Sequence, residues 1–235
     1  MQTRPRAVRI LLPFFAILMA AAALVGCGSK TNDAPLPDAA TLITESAATT
    51  RSQQSVHLEL AVDGEIKELP IATLSGDLTN APAVAAQGKA DIIFLGQKLT
   101  DVAFVVADGD LYGAITKGGN MQNFGPATDI YDVSAILNPD TGLANILASF
   151  SDPKAVGRES IGGSDAVKIT GTVSAEAVNK IAPQLKASAP APATAWIRDG
   201  DHQLAQVQIE PSAGKTITMT LTDWGKAVTV TKPGS

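Results

Sequence analysis

Val102-Ala-Phe-Val-Val-Ala-Asp-Gly-Asp-Leu-Tyr-Gly-Ala-Ile115 is the stretch whose reading decides the fold. Val102, Phe104 and Val106 recur at every second position, Asp108-Gly109-Asp110 interrupts them, and Leu111, Gly113 and Ile115 resume the alternation. A period of two belongs to a strand with one buried face, and Asp-Gly between two such runs is a tight hairpin signal. Upstream, Ala90, Ile92 and Phe94 show the same period and lead through a turn at Gly96-Gln97. Further back, Leu58, Leu60 and Val62 alternate with His57, Glu59, Ala61 and Asp63 before a turn at Asp63-Gly64. Strands joined by such short connections must pair antiparallel.

On either side the period changes to that of a helix. Asp38 can cap a helix running to about Gln54, with Leu42, Ile43, Ala47 and Thr50 on one face. Val133, Ile136 and Leu137 form a short helical segment. Asn138-Pro139 then reads as cap and first position of a second helix, with Leu143, Ile146, Leu147 and Phe150 as its stripe. Strands resume at Val167, Ile169 and Val173. Ser174 caps a helix carrying Ala177, Val178, Ile181 and Leu185, which Pro183 kinks or ends. After residues 187–193 come three or four closing strands, Thr194–Arg198, Leu204–Glu210, Thr216–Asp223 and Ala227–Thr231, with turns at Asp199-Gly200, Ala213-Gly214 and Gly225. Blocks of antiparallel strands separated by helical inserts predict an α+β fold, with helices segregated to one face of a curved sheet.

The N-terminus reads as an address. Arg4, Arg6 and Arg9 precede an apolar run from Ile10 to Val25, broken only by Pro13, in the order of a secretory signal. The run is short of the roughly 20 apolar residues that a transmembrane helix needs. It ends in Leu24-Val25-Gly26-Cys27, which looks like a bacterial lipobox in which the thiol is acylated before cleavage ahead of Cys27. The expected organisation is a signal peptide over 1–26, the lipidated cysteine with a polar tether over 27–37, and a single domain over 38–235.

Composition narrows the chemistry. The 235 residues are 45% hydrophobic but only 4% aromatic, and carry a net charge of −5, which disfavours bulk neutralisation of nucleic-acid phosphates. One cysteine and two histidines exclude an intrachain disulfide framework and a cysteine-based zinc site, and no cofactor motif is present. Gly162-Gly163-Ser164-Asp165-Ala166 lacks the final glycine of a nucleophile elbow and reads as a turn. Residues 26–31 have a phosphate-loop flavour, but without the GK pair or a preceding strand. Asp199, Asp201 and His202 read as a solvated hairpin tip. His57 begins a strand with no Ser, Cys or second His near it in sequence. No catalytic set emerges.

A large sheet lined by Ala, Val, Ile and Leu, with few rings to fill it, leaves room for a cavity between the layers; a close-packed core is the alternative. Choosing the apolar phase of the strands gives Leu58, Leu60, Ala90, Ile92, Phe94, Val102, Phe104, Val167 and Ile169 as candidates for the cavity wall. The helical stripes add Ile136, Leu143, Ile146 and Leu147. A slip of one residue would reverse the strand set.

Several longer stretches resemble a known family. The lipobox followed by Pro35-Leu36-Pro37-Asp38-Ala39, the twenty residues Asp129-Ile-Tyr-Asp-Val-Ser-Ala-Ile-Leu-Asn-Pro-Asp-Thr-Gly-Leu-Ala-Asn-Ile-Leu-Ala148, and Leu221-Thr-Asp-Trp-Gly225 resemble the mycobacterial envelope lipoproteins of the LppX/LprA/LprF/LprG group. The match lies nearest the LprG branch, and Val173-Ser-Ala-Glu-Ala-Val-Asn-Lys-Ile-Ala-Pro183 and Gly200-Asp-His-Gln-Leu-Ala-Gln206 extend it. The resemblance implies a half-barrel of antiparallel strands wrapped against helices around an apolar cavity for acyl chains. For that branch it implies triacylated glycolipid cargo (phosphatidylinositol mannosides, lipomannan, lipoarabinomannan) and triacylglycerol. It also implies an inner-membrane transporter of the major-facilitator type as partner, on the extracytoplasmic side. Two other readings compete: a structural or immunomodulatory surface lipoprotein acting through acylated Cys27, and an envelope esterase or glycan-processing enzyme.

Overall fold

The computed structural model describes residues 34–116 and 118–234. Asp38 opens the first helix, α1 (Ala39–Arg51), as expected: its Oδ1 accepts hydrogen bonds from the Thr41 backbone N–H and hydroxyl, both at 2.8 Å. These bonds hold the Asp38 carboxyl below its ordinary value. Leu42, Ile43, Ala47 and Thr50 are all buried, and Ser46 lies among them. Arg158 reaches the carbonyls of Ala34 and Pro35 at 2.7 and 3.1 Å, tying the chain that enters α1 to a distant strand.

Six strands follow as a meander: β1 (Ser55–Asp63), β2 (Ile71–Thr79), β3 (Ala85–Phe94), β4 (Gln97–Ala107), β5 (Asp110–Ala114) and β6 (Gln122–Pro126). A 3₁₀ turn at Ala127–Asp129 and the helices α2 (Ser134–Leu137) and α3 (Leu143–Ala148) lead to a second meander. This comprises β7 (Ser151–Ile161), β8 (Ser164–Val173), β9 (Ala191–Arg198), β10 (Leu204–Ser212) and β11 (Lys215–Thr222), with α4 (Ala175–Ile181) between β8 and β9. All eleven form one antiparallel sheet in the order β6-β5-β4-β3-β2-β1-β11-β10-β9-β8-β7. The two meanders are sewn together by their inner ends, β1 on β11, with Leu58 opposite Leu221. The sheet's edges are therefore β6 and β7, and the helical crossover carries the chain from one edge to the other.

Three hairpins close through two-residue loops with both residues at positive φ: Leu95-Gly96, Asp108-Gly109 and Gly162-Gly163. Their backbone matches the twist of the strands they join. The expected turn at Gly96-Gln97 thus lies one residue earlier, because Phe94 and Gln97 face each other as the last pair.

The structure corrects the sequence reading elsewhere. β2, β6 and β7 are strands that the alternation did not reveal. In β2 the inward position between Leu74 and Leu78 is Gly76, which breaks the apolar period. β6 and β7 are edges, and Gly125, Pro126, Pro153 and two register shifts in β7 mark them as such. Asn138 is the C-cap of α2 and not the N-cap of the next helix, whose N-cap is Gly142. The Asn138 Oδ1 accepts from the N–H groups of Asp140 and Thr141 at 2.9 and 3.1 Å, a tight turn that postpones α3 to Leu143. Gly142 fits there because a Cβ would stand 2.3 Å from the Ile136 oxygen. Residues 227–231 are not a strand; Val230 packs against the outer-face cluster of Val105, Ala107 and Tyr112.

The main core lies between the inner sheet face and the helices, where Val167, Ile169, Ile197 and Val207 meet Leu143, Ile146 and Leu147 at exposures of 0–1%. α1 packs on α3 and on β7 and β9. Ala34–Ser235 makes a compact unit that holds every described strand and helix.

Candidate functional site: an apolar pocket beneath one half of the sheet

The other half of the inner face is not filled. Between β1–β5, α2, α4 and the segment before β2 lies a pocket of about 580 Å³, within the roughly 300–1,000 Å³ range of ligand sites. Its origin can be traced along one row of the sheet, Leu58–Gly76–Gly88–Phe104–Gly113. The inward positions of β2, β3 and β5 in that row have no side chain. A methyl at Gly76 would stand 2.5 Å from the Gln87 carbonyl oxygen and 3.2 Å from Phe104 Cζ, and one at Gly88 would stand 2.2 Å from the Ser75 oxygen. The bare backbone of Gly76 lies beneath the Phe104 ring and that of Gly113 beneath the Phe124 ring, and side-chain volume that would occupy the inner layer is missing.

Eight of the expected residues face this pocket: Leu58, Leu60, Ala90, Ile92, Phe94, Val102, Phe104 and Ile136. The other five, Leu143, Ile146, Leu147, Val167 and Ile169, do not line it. They are on the inner side but in the packed half, where α1 and α3 occupy the space. Alternation selects the face of a sheet, but says nothing about which stretch of that face a helix will cover. The wall also includes Leu69, Pro70, Ile71 and Leu74 from the unrecognised β2 region and Val178 and Ile181 from α4. Leu74 and Leu78, two apart from Gly76 on either side, were the available signal for β2. Cys27 lies outside the described residues.

The wall offers little to polar chemistry. Asp77 turns its carboxylate to the opposite face, and Tyr112 packs in the outer cluster. Tyr131 donates its hydroxyl to the Ile181 carbonyl at 2.9 Å. Burial, then the neighbouring Asp132 charge, pushes the Tyr131 phenol well above its ordinary value, so it stays protonated. Glu68 and Gln184 remain as the polar lining residues. Along the mouth, Ile93, Phe94, Ile115, Phe124 and Ile130 are 42–65% exposed while also lining the pocket.

On the outer face, the sheet brings together what sequence separates: His57 Nδ1 lies 2.7 Å from Asp77 Oδ1, and its Nε2 lies 3.4 Å from Ser75 Oγ. The order is that of a catalytic triad. The three side chains stand on regular paired strands, whose N–H groups are directed along the ladder and not at an oxyanion site. The Asp199–His202 tip is ion-paired: Arg158 holds Asp199 at 3.1 Å, Arg198 holds Asp201 at 2.8 Å, and His202 sits 3.5 Å from Glu45.

With the geometry in place, comparison with known proteins is decisive. The model of the LppX_LprAFG lipoprotein family matches residues 38–230. The chain belongs to that family. It is 62% identical over the full length of both chains to the "Lipoarabinomannan carrier protein LprG" of Mycolicibacterium smegmatis. It is 48% identical to the protein of that name from Mycobacterium tuberculosis H37Rv, over 99% of each chain. Among solved structures, LprF from Mycobacterium bovis superposes with a TM-score of 0.77 at 29% identity, covering 86% of this chain and 99% of that one. LppX from M. tuberculosis superposes at 0.63 with 26% identity, over 82% and 97%. The large antiparallel sheet with helices on one face is the family's architecture, and the nearness to the LprG branch read from the quoted stretches agrees with the name of the two sequence relatives.

Proposed function

We propose that this family member is an envelope lipoprotein that carries acylated lipid in the pocket described above. The single observation carrying the reading is a wall of aliphatic and aromatic side chains with Glu68 and Gln184 as its polar members. Such a wall excludes ions and sugars from the interior and favours hydrocarbon, since each methylene withdrawn from water contributes about 0.8 kcal/mol. A polar headgroup remains at the mouth. The relatives named lipoarabinomannan carriers support triacylated glycolipids as cargo: phosphatidylinositol mannosides, lipomannan and lipoarabinomannan, with triacylglycerol as an uncharged alternative. The lining residues Leu58, Leu60, Ala90, Ile92, Phe94, Val102, Phe104 and Ile136 would contact the acyl chains. Acylation of Cys27 and removal of residues 1–26 would hold the protein at the extracytoplasmic membrane surface through residues 27–37, near a major-facilitator transporter. The protein moves lipid toward the cell surface and catalyses no reaction in this reading.

Native mass spectrometry of residues 34–235 purified without organic extraction tests it. Co-purifying lipid whose mass fits an acylated glycolipid or triacylglycerol is expected. A clean apo mass that persists after incubation with such lipids would sink the carrier reading and favour a protein that acts through its acylated N-terminus.

A further inference from the structure

The β3–β4 hairpin breaks a local rule. The first position of its loop has φ of +50°, a conformation that favours Gly, Asn or Asp because a Cβ crowds the following carbonyl. The other two such loops obey, with Asp108 and Gly162 in that place. Here the residue is Leu95, and it is 88% exposed. Ile93 and Phe94 beside it are 42% and 54% exposed, and no charge occurs from Ile92 to Gln97. A large apolar residue in a strained turn, left exposed among the described residues, is a local inconsistency of the kind found at working sites.

Position gives the tip its meaning. Ile93 and Phe94 belong at once to the exposed tip and to the pocket wall, while Ile115, just past β5, and Phe124 of the edge strand β6 continue the exposed apolar rim of the same pocket. Apolar surface therefore runs from the pocket interior to the end of the hairpin. Behind the uncharged tip, Lys98 pairs with Asp91 at 3.1 Å, so charge begins one residue past Gln97. An uncharged apolar tip with charges set behind it matches the layering of a bilayer, hydrocarbon beneath headgroups.

We propose that the β3–β4 tip enters a lipid membrane, with Leu95 and Phe94 in the acyl layer, and so sets the pocket mouth against hydrocarbon. Acyl chains then pass between bilayer and pocket along Phe94, Ile115 and Phe124 without crossing water. This deepens the carrier reading and rests on it for the passage of cargo, though not for the insertion of the tip. A bilayer is favoured over a protein partner because the tip offers no charged side chain to orient one, and because the surface continues into the pocket wall.

Leu95→Asn is the decisive variant. Asn-Gly is a favoured pair for this turn, so the fold is expected to hold or gain stability while the exposed apolar side chain is lost. Residues 34–235 and the variant are compared for flotation with protein-free phosphatidylcholine/phosphatidylglycerol vesicles, and for transfer of a pyrene-labelled triacylglycerol between vesicles. Removing one leucine from the acyl layer should weaken vesicle association and slow transfer about tenfold, with melting temperature unchanged or raised and lipid loaded from detergent retained equally. Equal flotation and transfer by the two proteins would overturn the proposal. So would failure of the unaltered protein to float with vesicles, which would assign the tip to a protein partner. If neither protein retains detergent-loaded lipid, the carrier reading fails, while loss of flotation in Leu95→Asn still supports the inserted tip.

Discussion

The two halves of the inner sheet face are built from the same alternating aliphatic residues and have opposite fates. Beneath β7–β10, Val167, Ile169, Ile197 and Val207 meet α1 and α3 and are sealed. Beneath β1–β5, Leu58, Ala90, Val102 and Phe104 border a pocket of about 580 Å³. Two things separate them. Helices cover the first half, whereas only α2, α4 and irregular segments border the second. The second half also carries glycine at the inward positions Gly76, Gly88 and Gly113, so side-chain volume is missing where it would otherwise close the gap. Equal hydrophobicity is thus compatible with a core or a cavity; coverage and volume decide.

That contrast can be broken by truncating a side chain in the sealed half. Leu147 has no exposed surface, and Leu147→Ala is expected to destabilise the protein by about 2–5 kcal/mol through lost burial and a residual void. Urea unfolding measures it, and lipid content of the folded fraction should be unchanged. A cost as small as that of truncating a pocket residue would erase the distinction between the halves.

A smaller loss is expected at the glycine row. Gly76→Ala forces a methyl toward the Gln87 oxygen and the Phe104 ring, so a cost of about 1–3 kcal/mol is expected, with weakened lipid retention as Phe104 is displaced into the pocket. A neutral variant would mean that the close approach of β2 and β3 does not shape the pocket.

Ala90→Trp sharpens the comparison from the hollow side. The indole has pocket volume to occupy, so stability should stay within about 1 kcal/mol, less than the usual penalty for overpacking a filled core. Bound lipid should fall strongly. The same substitution at Ala195, which is fully buried in the sealed half, should unfold the protein. Severe destabilisation at Ala90 would place it in a packed core.

The smallest effect is electrostatic and lies on the outer face of the sealed half. Glu159 of β7 accepts from Lys168 at 2.9 Å and from Trp196 Nε1 at 2.7 Å, which hold its carboxyl below its ordinary value, the Lys168 bond first. The contribution is therefore fully present above the unfolded carboxylate value of 4.5 and is lost as pH falls through the lower folded value. The site is exposed, so the change is expected to be slight. Glu159→Gln should flatten that part of the acid-unfolding profile and leave lipid retention untouched; an unaltered profile would remove Glu159 from the account.

Legibility followed physical role. Strands with one buried face and tight Asp-Gly or Gly-Gly turns were readable, as were the caps at Asp38 and Ser174, because each rests on residues adjacent in sequence. The edges were not. β6 and β7 carry the Pro, Gly and bulges that deter pairing with other chains, and those same features erase the alternation of a strand. β2 was hidden for another reason: Gly76 answers a close approach to β3 that no local pattern announces.

The residues alone determined an antiparallel α+β protein, the apolar face of each recognised strand and, through the stretches quoted above, its family. Only the tertiary structure joined β1 to β11, placed α1 and α3 over one half of the sheet and left the other open. It also brought Ser75 and Asp77 to His57, and Ile115 and Phe124 to the same pocket as Phe94. The division has a physical cause. Periodicity reports which side of an element avoids water, a property of neighbouring residues, whereas filling depends on how much volume arrives from segments distant in the chain.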